Sequence, residues 1–144
     1  MEIQIRKAEL KDSKSISGLC HQFGYKTDAD QLSSRLSNIL PNKEHSVFVA
    51  TNNNVVAGWI HSFLAVRVES SPFVEIAGFV VDEKYRNKGI GKKLLSAVYT
   101  WTKSMGHNKV RVRCNTKRVG THIFYKKNNF TEIKHQKIFE KILE

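Results

Sequence analysis

The sequence predicts one α/β domain of the α+β kind, with helices flanking a mixed, mostly antiparallel central sheet in the order βααβββαβαβ(β). Three observations lead there. The chain has 144 residues, 40% of them hydrophobic, which is enough for a single core. Its apolar residues switch repeatedly between a two-residue period and helical i, i+3, i+4 spacing. With only 8 Gly and 2 Pro, and no repeats or low-complexity stretches, nothing marks a linker, so residues 1–144 are expected to form one domain.

In "IQIRKA" (3–8), Ile3 and Ile5 alternate with polar residues, as in a short strand. Ile16, Leu19, Cys20 and Phe23 then mark one face of a helix that Asp12 can cap and Gly24 can end. Thr27 opens a second helix with Leu32, Leu36, Ile39 and Leu40 as its stripe, and Pro41 stops it. "SVFVAT" and "VVAGWIHSFLAVRV" surround "NNN" (52–54), a hairpin signal because Asn tolerates positive φ. "SSP" (70–72) reads as a break before "FVEIAGFVV" (73–81), a strand apolar enough to be buried on both faces.

Ile90, Leu94, Leu95, Val98 and Trp101 form a strong helical stripe closed by Gly106. "KVRVRCN" (109–115) alternates as a strand, and "GTHIFYKKN" (120–128) is a short helix. "FTEIKHQKIFEKI" (130–142) is expected to supply a terminal strand or pair.

Charge divides the chain. Residues 1–83 hold 8 Lys and Arg against 10 Asp and Glu, a balance of −2, whereas residues 84–144 hold 16 against 3, a balance of +13. A one-sided positive field implies a polyanionic partner: nucleic acid, a membrane surface or a phosphorylated cofactor. No apolar run approaches the roughly 18 residues of a membrane span, and "MEIQIRKAEL" lacks the apolar core of a secretion signal. Cys20 and Cys114 show no metal or redox spacing, which fits a reducing cytoplasm, and the six histidines show no ligand spacing either, so no metal is expected.

The basic half begins with "YRNKGIGKKLL" (85–95), which places a Gly-containing loop between a strand and a helix. Free N–H groups and the positive end of the dipole converge at such a helix start, which suits phosphate oxygens. Gly89 and Gly91 let an anion approach the backbone, and Arg86, Lys88, Lys92 and Lys93 surround it with charge. Two phosphate loops are excluded. G-x-G-x-x-G needs Gly where Leu94 stands, and the P-loop needs four residues between its glycines. A plain strand-to-helix turn with solvated lysines is the competing account.

"VVDEKYRNKGIGKKLL" resembles the acetyl-CoA-binding motif of the GNAT superfamily of N-acetyltransferases, (R/Q)-x-x-G-x-(G/A) after a Val-ended strand. "HIFYKKNNF" (122–130) resembles that family's second motif, a short Tyr-bearing helix usually followed by Gly-Phe, with Asn129 where Gly is usual. The Pro often seen within "VDEKY" is also missing. Both motifs lie in the second half of the chain, and the element order matches the family fold.

The resemblance implies acetyl-CoA as cosubstrate and direct transfer of its acetyl group to an amine in a ternary complex. The backbone of Arg86, Asn87, Lys88, Gly89, Ile90, Gly91 and Lys92 would hold the diphosphate, and the edge of the strand at Phe79 and Val81 would pair with the pantetheine arm. The amide of Val81 would polarise the thioester carbonyl. Tyr125 stands at the position of the family's acid. A phenol (pKa about 10) facing a thiolate whose acid lies at about 8.5 is matched well enough for proton donation. Glu75, six residues before Val81, occupies the offset of the general base in the histone-acetylating branch. It also interrupts an apolar strand, where burial disfavours the carboxylate charge and makes it a better proton acceptor. Strict alternation sets 75, 77, 79 and 81 on one face. A strand-edge Glu paired to Lys or Arg, with water as the base, is the alternative. Arg111 and Arg113 face either solvent or cofactor phosphate.

The acceptor is an amine of a small molecule or a protein. The acidic balance around Asp28, Asp30, Glu69 and Glu75 favours a cationic one, a homodimer remains open, and neither nucleic acid nor membrane is expected. Two other readings compete: a basic nucleic-acid-binding module, and a sensor of the same fold that binds CoA without catalysis.

Overall fold

The computed structural model describes residues 1–114 and 118–144. They form two compact units, Met1–Arg113 and Cys114–Glu144.

The first unit is a five-stranded sheet in the order β1-β2-β3-β4-β5. Its strands are β1 (Ile3–Lys7), β2 (His45–Asn52), β3 (Val55–Arg67), β4 (Ser70–Val81) and β5 (Val110–Val112). Helices α1 (Ser13–His21) and α2 (Ala29–Ile39) fall between β1 and β2, and α3 (Ile90–Ser104) falls between β4 and β5. The first four strands are antiparallel neighbours, and β5 lies parallel to β4 after the α3 crossover. Val47, Val49, Val80 and Trp59 pack with Ile16, Leu19 and Cys20 of α1 and Leu36 of α2. On the other face, Leu94 of α3 reaches within 3.3 Å of the space a Cβ on Gly58 would fill.

Local chemistry explains most boundaries. Asn53 (φ 48°) and Asn54 (φ 67°) make the left-handed turn of the β2–β3 hairpin. The α2 helix starts two residues later than Thr27 suggested, because the Asp28 carboxylate accepts the Asp30 and Gln31 N–H groups and fixes the start there. Asp12 does not cap α1 with its side chain. Its carboxylate turns back to accept two 2.8 Å hydrogen bonds from Arg6 and one from the Glu9 N–H. Nor does "SSP" break the chain: β4 begins at Ser70, and Pro72 sits beside a register irregularity, where its missing donor costs least.

The second unit contains α4 (Val119–Lys127). Asn115, the last residue of the expected fifth strand, lies outside the described residues. The terminal strand or pair expected over 130–142 is a correction, because residues 130–144 form no helix or strand. Ile133, Ile138, Phe139 and Ile142 alternate too loosely for one apolar face, and all four side chains are exposed.

Candidate active site at the fourth strand and the start of the third helix

Strand β4 pairs with β5 over Val74–Ile76, and that pairing ends before Ala77. A β-bulge marks the change. Gly78 is opposite His61, yet Ile76 is opposite the next residue, Ser62, which leaves Ala77 as the extra residue. Hydrogen bonding reverses there. Below the bulge, the Val74 N–H donates to the Lys109 carbonyl of the β5 side. Above it, the Asp82 N–H donates to the Ala57 carbonyl on the β3 side. In an antiparallel ladder these groups alternate, so Val80 and Gly78 also turn towards β3, and the N–H and C=O groups of Phe79 and Val81 point to the side away from β3.

The bulge corrects one expectation about Glu75. It does not share a face with Phe79 and Val81, because the extra residue inverts the alternation. Val81 pairs with Gly58 on the α3 face, whereas Glu75 pairs with Phe63 on the opposite face, alongside His61 and Trp59. On that second face a Cβ at Gly78 would lie 2.5 Å from the Trp59 ring, so only glycine fits beneath the indole. The Trp59 Nε1 donor is buried without a hydrogen-bond partner among the described residues. His61 accepts or donates a 2.9 Å hydrogen bond to His45, whose ring stacks on it and on Phe63. Burial, aided by His45, pushes the His61 pKa down to about 4, so the ring is neutral at neutral pH.

Glu75 is largely buried, with its side chain 15% exposed, and its Oε1 lies 3.3 Å from Arg113 Nε and 3.8 Å from Arg67 Nη2. The local environment is therefore the ion-paired one. Arg111 and Arg67 stack on the buried Phe73 ring, their guanidinium carbons 4.2 and 5.1 Å from its centroid. Arg111 and Arg113 thus lie on the Glu75 face, a placement their alternation along β5 left undecided.

At its upper end β4 runs into a 3-10 turn (Glu83–Tyr85) capped by Asp82, whose carboxylate accepts the Lys84 N–H. The Gln22 side chain, beyond α1, donates to Asp82 and accepts from the Glu83 N–H, both at 3.3 Å, tying the loop down. Arg86 lies over the Phe23 ring at 4.9 Å, Lys88 is 5.9 Å from the Tyr85 ring centre, and Asn87 takes a left-handed φ of 61°. Gly89 is the N-cap of α3 with φ 80°, and a Cβ there would meet nothing within 4 Å. It has no side chain to accept the first-turn N–H groups, and no acid stands in that turn. Ile90 is buried and anchors the helix, while Lys92 is exposed. A basic, glycine-capped helix start of this kind fits an oxygen-rich anion such as a diphosphate.

In the second unit, Tyr125 lies in the last turn of α4, edge-on to Phe124 and Phe130 with ring centres 5.5 and 5.3 Å away. The helix closes on Asn129 at φ 68°, with Phe130 N–H bonded to the Tyr125 carbonyl and Asn129 N–H to that of Lys126. This is a Schellman closure in which Asn serves where glycine is usual.

Gln22, the Ala77 bulge, Trp59 over Gly78 and the Arg67 contact escaped the sequence reading. The Ala77-Gly78 pair of small residues inside an apolar strand was the one available signal.

Comparison with known proteins agrees with this geometry. The chain is 28% identical over 97% of its length to an aminoglycoside N(6')-acetyltransferase type 1 from Stenotrophomonas maltophilia, covering 94% of that protein. Its fold superposes on the aminoglycoside acetyltransferase AAC(6')-Iy bound to the bisubstrate analogue CoA-S-monomethyl-acetylneamine with TM-score 0.87, at 20% identity over 99% of this chain and 100% of that one. It also superposes on a glucosamine-6-phosphate N-acetyltransferase from Arabidopsis thaliana with TM-score 0.77, at 24% identity over 97% and 100% of the two chains. Residues 12–130 match the acetyltransferase (GNAT) family. The chain therefore belongs to the GNAT family and is an N-acetyltransferase that draws its acetyl group from acetyl-CoA.

Proposed function

We propose that residues 1–144 act as a single N-acetyltransferase domain that moves the acetyl group of acetyl-CoA directly to the primary amine of a small molecule. One observation carries this reading: past the bulge the Val81 backbone turns away from β3, and the chain then leads into α3 at Gly89, where no side chain caps the first turn. The amides of residues 87–92 hold the diphosphate, with Arg86, Lys88 and Lys92 supplying charge. Phe79 and Val81 pair with the pantetheine arm as an added strand would, and the Val81 N–H polarises the carbonyl under attack.

Glu75 lies down the strand from the bulge, at the end away from the phosphates, and takes the proton that the amine must lose. Tyr125 supplies the proton that the departing thiolate takes up. The balance is one N–C bond formed, one C–S bond broken and one proton passed from nitrogen to sulfur. The relatives named as aminoglycoside acetyltransferases support a small-molecule acceptor.

The test is calorimetric titration with acetyl-CoA, followed by thiol-release assays over an amine panel. Wild type should bind in the micromolar range. Gly89→Glu, which sets a carboxylate where the diphosphate belongs, should abolish binding, and Tyr125→Phe should bind normally but lower kcat by about 10²-fold. A well-folded wild type that does not bind acetyl-CoA overturns the reading.

A further inference from the structure

We propose that the acceptor end of the site is built for an amine that also carries an anionic group, a carboxylate or a phosphate. The inference rests on the acetyltransferase reading and narrows its substrate class. It follows from the cluster where β4 and β5 part, just below the bulge. Two guanidiniums, Arg67 and Arg113, approach one carboxylate, Glu75, and a third, that of Arg111 on the paired strand, lies with Arg67 over the Phe73 ring. The neighbouring His61 is neutral, so the cluster carries an excess of two positive charges.

The ion pairs in this cluster are loose. Both guanidiniums approach the same Glu75 oxygen, at 3.3 and 3.8 Å. A strong charge-assisted pair closes to about 2.7–2.9 Å. The molecule can make such a pair, because Arg6 grips Asp12 through two 2.8 Å bonds. Arg113 keeps half of its side chain exposed (49%) beside the largely buried Glu75. The Arg111 Nε donor is buried without a partner among the described residues, although a buried polar group left unbonded is costly. Its guanidinium lies over the Phe73 ring, 4.2 Å from the centroid, which restrains the fork.

A carboxylate loosely shared between arginines, with a third arginine underused, is complementary to a ligand bearing both charges. On entry the ligand's anion takes the Arg113 and Arg111 donors, which accept planar carboxylate or phosphate oxygens two at a time. Glu75 is thereby released from Arg113 to meet the ligand's ammonium group. The exchange places the amine beside its proton acceptor and leaves no guanidinium unpaired. A polycation would meet net positive charge at the same place.

The experiment uses matched amines that differ by one anionic group: phosphoethanolamine against ethanolamine, and β-alanine against β-alaninamide. The Arg Nε–H resonances of the full chain are followed on titration without acetyl-CoA. Saturable shifts at Arg113 and Arg111 are expected with the anion-bearing member of at least one pair, at millimolar concentration, and not with its partner that lacks the anion. Equal shifts with both members, or none with either anion, overturn the proposal.

With acetyl-CoA present, kcat/KM should favour the anionic member of the bound pair by at least tenfold. The ratio should fall about tenfold in Arg113→Ala and turn below one in Arg113→Glu. Preference for the amines that lack an anion or for spermidine, or a ratio unmoved by both substitutions, also overturns it. Anion-specific shifts in a chain that does not bind acetyl-CoA would remove the acetyltransferase reading while leaving the anion site in place.

Discussion

Helices α2 and α3 begin in opposite ways. At the start of α2, Asp28 lies in extended conformation and its carboxylate accepts two first-turn N–H groups, with Asp30 adding negative charge beside them. At the start of α3, Gly89 is left-handed and offers no acceptor, and Lys92 and Lys93 stand where acids would be favourable. The first helix answers its own dipole. The second leaves its donors and its positive end exposed, a deficit that an incoming phosphate fills. Within one chain, a helix start that serves stability can thus be told from one that serves binding by whether the protein itself supplies the acceptor.

The most damaging test is to give α3 a cap of its own. In Gly89→Glu the carboxylate occupies the donors, and acetyl-CoA affinity measured by calorimetry should fall by at least 100-fold, with the fold retained by circular dichroism. Gly89→Ala adds no acceptor and meets no neighbour within 4 Å. It carries only the cost of a left-handed alanine, about 1–2 kcal/mol of stability in urea unfolding, and a smaller loss of affinity. Asp28→Ala should cost about 1 kcal/mol of stability and leave acetyl-CoA affinity unchanged, the reverse profile. The mildest change is Lys92→Ala, expected to weaken acetyl-CoA binding about threefold and to make it less sensitive to salt between 50 and 200 mM. If Asp28→Ala and Gly89→Glu gave the same profile, the distinction between the two starts would collapse.

The α3 start was legible in the sequence because its signals are local: a glycine at a forced left-handed position, neighbouring lysines and an apolar stripe behind them. Asn129 was legible for the same reason, as asparagine is the residue next best suited to a left-handed closure. The face of Glu75 was not. Alternation assigns faces correctly only while a strand keeps its register, and the Ala77 bulge is set by pairing with β3, a relation between residues far apart in sequence. The Arg67–Glu75–Arg113 cluster escaped for a similar reason, since it joins three strands through side chains whose reach no periodicity encodes. The terminal stretch erred the other way. Its apolar residues suggested strands, but a strand needs a neighbour to bond, and apolar content alone does not provide one.

The Trp59 ring rests on Gly78, one residue from the outward-facing amide of Phe79. The chain has only one other tryptophan, Trp101, which lies near the end of α3. In a Trp101→Phe background the protein therefore carries a single tryptophan, beside that strand edge, which can be excited apart from the tyrosines. Filling of that edge can then be followed in real time from the emission of an unlabelled chain.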